Sequence, residues 1–174
     1  MTRWIALLRG VNVGGHGKLP MADLRRSLSE AGFGNPRTYI QSGNIVFDSE
    51  ATDDLPGRIG DLIARGFDLR PTVFVLSRAA LDTAIARCPF GTEPSNRVHL
   101  WFLSGPAQPD TGRLAHLAAP SETWRLEDSV LYLSAPDGIG RSRFAAGAEA
   151  ALGIPATARN LRTVLALQKM AHTD

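Results

Sequence analysis

Two kinds of apolar spacing alternate along this chain: short continuous runs, and residues recurring three or four apart. Trp4–Arg9 is an apolar run of strand length, ended by Gly10-Val-Asn-Val-Gly-Gly-His-Gly17. A helix is predicted next. Pro20 suits its first turn, Leu24, Leu28 and Ala31 fall at helical spacing, and Gly32 provides the stop. Arg37–Ile40 and Asn44–Asp48 read as strands, with Gln41-Ser-Gly43 between them as a tight turn. Asp53 is the expected cap of a second helix that places Leu55, Ile59, Leu62 and Ile63 on one face, and Gly66 follows it. Pro71–Leu76 is a fourth strand, and Ser77 caps a short helix carrying Leu81 and Ile85.

The second half runs through similar elements. Arg97–Leu103 is a strand, Gly105–Asp110 a proline-containing loop, and Leu114 with Leu117 marks a short helix. Thr123–Leu126 and Val130–Leu133 form a hairpin around Glu127-Asp128. Phe144, Ala148 and Leu152 mark another helix, a break follows at Gly153-Ile-Pro155, and Asn160 caps a last helix with Leu161, Val164, Leu165 and Met170. This order predicts an α+β fold of two tandem ferredoxin-like (α/β plait) halves, each a helix-covered antiparallel sheet in the order β-α-β-β-α-β. Pro89, Gly91 and Pro94 interrupt both periodicities, so the halves are set at residues 1–88 and 96–174, the second with an extra terminal helix. A single larger α+β domain is the competing architecture.

Composition narrows the class. The 174 residues are 44% hydrophobic and 21% charged, ordinary globular usage that argues against disorder and fibrous repeats. No apolar run approaches the ~18 residues of a spanning helix, and Met1–Arg9 is too short for a signal peptide. The expectation is a soluble, cytoplasmic protein without membrane association. The single cysteine, Cys88, excludes an internal disulfide framework and any multi-cysteine metal site. Nineteen basic residues against 17 acidic ones leave a net charge of +2, but they are unevenly spread. Met1–Phe47 holds Arg3, Arg9, Lys18, Arg25, Arg26 and Arg37 against Asp23 and Glu30, a local field that attracts anions. A solvated surface with uneven charge is the plainer reading of the same residues.

Familiar catalytic and cofactor motifs fail on spacing. Gly17-Lys18 has Asn12 where a phosphate-binding loop needs its first glycine, and Leu19 where it needs Ser or Thr. Gly15-His-Gly17 and Gly138-Ile-Gly140 both lack the third glycine of a dinucleotide fingerprint. His16, His99, His116 and His172 are scattered without metal-ligand spacing, and His99 reads as a packed or sheet-surface histidine. Cys88 reads as a buried structural thiol, and Glu127-Asp128 as turn residues. No metal and no cofactor is therefore called for, and the sequence assigns no reaction.

Three segments carry more polar and glycine residues than turns require. In Leu8-Arg-Gly-Val-Asn-Val-Gly-Gly15, consecutive amides at Gly14 and Gly15 can form an anion-binding concavity completed by Arg9, Asn12 and Lys18. Tyr39-Ile-Gln-Ser-Gly-Asn44 packs amides and a hydroxyl into one turn. In Thr157-Ala-Arg-Asn160, Arg159 precedes a helix start, whose free amides favour an anion. Tight turns plus an N-cap account for the same residues without a ligand.

These segments, with Trp4–Leu8 before the first, Val46-Phe47, Thr163-Val164 and Gly140-Arg-Ser142, resemble the bacterial family known only as domain of unknown function 1697. The resemblance spans nearly the whole chain and implies two ferredoxin-like plaits in tandem. It brings no assigned activity and no catalytic residues. One departure stands out: the family usually has Trp after Arg-Asn, where this chain has Leu161. A stacking role for an indole at that position is thereby in doubt here, whereas core filling by Leu161 is tolerable.

Three functions follow in order. The first is binding of a small anionic ligand, a nucleotide or sugar phosphate. Arg9 would be charge partner, Asn12 with the Gly14 and Gly15 amides the cradle, and Gln41, Ser42 and Asn44 the specificity groups. Arg159 and Asn160 would close the site. The second is a structural or protein-interaction module without a small-molecule site. The third, nucleic-acid binding, is disfavoured: a plait that binds RNA needs aromatics exposed on its central strands, and its signature is absent. The sequence does not assign an oligomeric state.

Overall fold

The structure, a computed structural model, describes residues 1–174. The chain divides into two compact units, Met1–Thr83 with Leu165–Asp174, and Ala84–Val164. The first contains β1 (Thr2–Arg9), α1 (Met21–Glu30), β2 (Gly34–Tyr39), β3 (Asn44–Ser49), α2 (Leu55–Phe67) and β4 (Thr72–Ser77). The second contains β5 (Val98–Leu103), α4 (Thr111–Leu117), β6 (Thr123–Glu127), β7 (Val130–Ser134), α5 (Arg143–Leu152) and β8 (Ala156–Asn160). α3 (Arg78–Ala86) follows β4, and α6 (Leu161–His172) ends the chain. The sheets are ordered β2-β3-β1-β4 and β6-β7-β5-β8, and every pairing is antiparallel. This is the ferredoxin-like strand order, with the first strand of each unit lying between its third and fourth.

The continuous apolar runs have a simple cause. On the helix-facing side of the first sheet, Ala6, Leu8, Ile45 and Phe47 pack with Leu24 and Leu28 of α1 and Ile59 and Ile63 of α2. The alternate residues Ile5, Leu7, Val46 and Phe74 are buried too, so both faces of the central strands leave water. A strand buried on two faces loses its polar alternation. In the second unit Trp101, Leu131 and Leu133 pack with Leu114, Phe144, Ala148 and Leu152. Val98, Leu100, Phe102, Val130 and Tyr132 are buried on the opposite face. The Tyr132 hydroxyl donates to the Ala84 carbonyl at 2.7 Å, and burial pushes its pKa up to about 12.

Several local expectations shift. Asp54, not Asp53, caps α2, its carboxylate accepting from the Gly57 amide at 3.1 Å. Ile40, expected at the end of a strand, lies in the turn at φ +50°. Ala156–Asn160, assigned to no element from sequence, is an edge strand paired with β5 and supplies the last strand of the second β-α-β-β-α-β order. Asn160 still caps α6, accepting from the Thr163 amide at 2.9 Å.

The C-terminal residues of the first unit are held by two arginines. Arg3 donates to the carbonyls of Ala171 and Thr173, and Arg37 to those of Met170 and Thr173. Cations at a helix C-terminus neutralise its exposed carbonyls. Asp82 accepts from Gln168 at 2.8 Å and lies 2.9 Å from His172, fixing the same helix to α3.

Candidate functional site

The glycine stretch after β1 folds into a small hairpin. Val13 and His16 bridge each other, the Asn12 amide donates to the Gly17 carbonyl at 2.9 Å, and Gly14 and Gly15 form the tip at φ +59° and +77°. Two positive φ values in succession are what a two-residue hairpin turn of this hand requires, and glycine adopts them without steric cost. The tip is exposed, with Val13 61% accessible.

Asn12 ties this hairpin to the next loop. Its side-chain amide donates to the carbonyls of Leu19 at 2.9 Å and Gln41 at 2.7 Å, while its oxygen accepts from the Leu19 amide at 2.8 Å. Asn44 does similar work between β2 and β3. It is fully buried and donates to the Tyr39 carbonyl at 3.1 Å and to the Ser42 hydroxyl at 2.9 Å. An amide has two donor hydrogens, so on both residues the donors are already engaged within the loops. Gly43 sits at φ +81° with its carbonyl accepting from the Leu8 amide; a Cβ there would lie 2.6 Å from that of Leu8. Asn12, Gln41, Ser42, Gly43 and Asn44 thus form one hydrogen-bonded loop cluster.

Arg9 lies elsewhere on this end. It is the last residue of β1, opposite Thr72 in register, and flanks a cavity of about 280 Å³ with Gly10, Val11, Leu69, Arg70, Pro71 and Thr72. Arg70 is the residue that sequence reading missed. It belongs to no motif, and only the antiparallel pairing of β1 with β4 brings it beside Arg9.

Arg159 and Asn160 belong to the second unit. Arg159 donates to the Thr157 hydroxyl and to the Ala158 carbonyl, both at 2.8 Å, and burial pulls its pKa down to about 10. Thr157 itself is buried. Asn160's side-chain oxygen is the α6 cap described above. His99 is 7% exposed on β5, near Trp101, and desolvation holds its pKa below the usual histidine value. No group of three or more His, Cys, Asp or Glu residues is placed to hold a metal ion. No helix is long and apolar enough to cross a membrane. Trp4 packs against the helix-covered core of the first sheet, and the opposite face of that sheet is buried. Neither face offers an open aromatic platform on which bases could stack.

Fold and loop geometry define a tandem ferredoxin-like protein with an elaborated loop end on its first unit. Residues 1–132 match the family described as "Protein of unknown function (DUF1697)", and the chain belongs to that family. No curated protein matches the sequence. Among solved structures, the conserved bacterial protein SP0830 from Streptococcus pneumoniae is similar over 98% of each chain, with a TM-score of 0.72 and 22% identity. At that identity the likeness concerns the fold.

Proposed function

We propose that the first unit binds a small anionic ligand of the nucleotide or sugar-phosphate class at the end of β1. The observation that carries this reading is the pair Arg9 and Arg70 around one cavity, with the Gly10–Val11 backbone as its wall. Two guanidiniums can supply several charge-assisted donors to one phosphate. In this reading Arg9 and Arg70 are the charge contacts. The Gly14 and Gly15 amides, Gln41 and Ser42 lie outside the lining of that cavity and are proposed as outer contacts for a ligand long enough to extend beyond it, with Asn12 and Asn44 holding the loops that carry them. Arg159 and Asn160, in the second unit, are a separate proposed contact, tested by Arg159→Ala and Asn160→Ala in the titrations below.

The test is a thermal-shift and calorimetric titration with inorganic phosphate, nucleotides and sugar phosphates. A ligand present at ~100 times its dissociation constant stabilises by about 2.7 kcal/mol. Arg9→Ala or Arg70→Ala should then weaken a hit by about 1.5–3 kcal/mol, the range for hydrogen bonds to charged groups. A hit unaffected by either change removes this cavity as the site, and no response to any of these compounds at millimolar concentration overturns the reading.

A second reading, an interaction module, is favoured by Ile40. It is 52% exposed and its β-branched side chain sits at φ +50°, so an apolar group is displayed at a conformation that costs energy.

A further inference from the structure

Each sheet has two edges, and three of the four are blunted. β2 carries Pro36, Asn35 at φ +44° and a register shift between Gly34 and Arg37. β6 carries Arg125 and Glu127, and on β8 the Arg159 guanidinium folds onto the Ala158 carbonyl. These are recognised devices against unwanted strand pairing. β4 has none of them: Thr72-Val-Phe-Val-Leu-Ser77 contains no charge, proline or glycine, and no strand pairs with its outer side.

The phase of the ladder shows which backbone groups are open. The Leu8 amide donates to Gly43, on the β3 side, so Leu8 and Ala6 direct both backbone groups to β3. Leu7 and Ile5 then face β4, where they pair with Phe74 and Leu76. It follows that Val73 and Val75, opposite Leu8 and Ala6, point their N–H and C=O groups away from the sheet. Exposed arginines stand just outside both ends of the strand, Arg70 before it and Arg78 after it, and neither makes an ion pair. Arg78 attracts the Asp82 carboxylate of α3, which Gln168 and His172 also bind, and lines a cavity with Asp48 and Asp174, yet it closes an ion pair with none of the three.

We propose that the outer edge of β4 receives an extended peptide segment with acidic residues flanking a neutral centre, added as a further strand of the first sheet. Val73 and Val75 supply the main-chain hydrogen bonds, and Arg70 and Arg78 select the charge of the flanks. Charge decides between this occupant and a second copy of the chain. Antiparallel self-pairing that sets Val73 opposite Val75 of another copy also sets Arg70 opposite Arg78 at both ends, where like charges repel. Arg70 is shared with the proposed anion site, whereas Val73, Val75 and Arg78 do not line that cavity, so these three distinguish the edge from it.

The experiment uses the full chain and a fluorescein-labelled seven-residue peptide of alternating Thr and Val with Glu at each end, read by fluorescence anisotropy. A Lys-ended peptide of the same centre is the comparison. The Glu-ended peptide is expected to bind at least about tenfold more tightly, and Arg78→Glu to reduce or reverse that preference. Val75→Pro removes an outward donor while leaving the β1 pairing intact, and should weaken binding roughly three- to tenfold, the worth of one hydrogen bond. Circular dichroism establishes that each variant is folded; if Val75→Pro is not, the exposed Arg78→Glu change carries the test. Equal binding of the two peptides, or no binding of either at 1 mM as a ceiling of about −4 kcal/mol, overturns the proposal. So does self-association of the unliganded protein that Val75→Pro abolishes, which would assign the edge to a second copy. Loss of phosphate binding in Arg9→Ala with peptide binding retained separates this inference from the anion site.

Discussion

The two units build the same strand order with very different connections. In the second, β5 reaches α4 through Ser104–Asp110 without one residue at positive φ, and the β6–β7 hairpin closes over Asp128 and Ser129 with positive φ at Asp128 alone. In the first, the equivalent connection Gly10–Pro20 places Gly10, Asn12, Gly14, Gly15 and Gly17 at positive φ, and the equivalent hairpin adds Ile40 and Gly43. The second unit is therefore an internal control: a ferredoxin-like sheet closes without such loops. The conformational cost carried by the first unit is not required by its topology. Cost of this kind persists where surrounding hydrogen bonds over-determine the backbone, as Asn12 and Asn44 do here.

The sharpest way to break that contrast is at Gly43. Gly43→Ala combines a disfavoured φ with overlap against the buried Leu8 and Val11 side chains, and should destabilise by about 2–4 kcal/mol. Asp128→Ala in the other hairpin is exposed and should cost no more than about 1 kcal/mol. Equal urea midpoints for the two variants would show that the first hairpin is no more constrained than the second. Asn12→Ala comes next. It deletes three hydrogen bonds and should cost about 2–3 kcal/mol, with the Leu19 amide losing protection from hydrogen exchange.

Acid should also distinguish the units. Asp48 accepts from Arg3 at 2.8 Å and from the Asn35 side-chain amide at 3.1 Å, and these bonds hold its carboxyl below its ordinary value of 3.8. A lowered folded-state pKa contributes stability that is complete above the unfolded value and lost as pH falls through the folded one. The contribution, about 1.5 kcal/mol for a partly solvated pair, should fade below pH 3.8. Asp48→Asn should flatten that limb of the stability curve, and an unchanged limb would exclude the pair as its source. The smallest effect is of opposite sign. Ile40→Asn replaces a β-branched residue at φ +50° by one that tolerates it, and should stabilise by about 0.5–1 kcal/mol in thermal unfolding.

Much of the fold was legible because its signals are local. Leu24 and Leu28, or Ile59 and Ile63, declare a helix through spacing alone, and Trp4–Leu8 declares a strand by apolar continuity. Asp54 and Asn160 illustrate the limits of the same logic: cap chemistry is visible in sequence, but which of two adjacent aspartates caps α2 depends on backbone geometry. β8 escaped because Ala-Thr-Ala-Arg-Asn has little intrinsic strand preference and becomes one by pairing with β5. The three polar segments were legible as exceptional, though not as to why. Sequence shows that Asn12 and Asn44 carry amides; only the folded loops show those amides committed to Leu19, Gln41, Tyr39 and Ser42. Arg70 and the open edge of β4 lay beyond sequence altogether. Residue type and spacing fix the elements, because helix and strand periodicity are properties of neighbouring residues. Which guanidinium meets which, and which strand is left at an edge, depends on the pairing of segments distant in the chain.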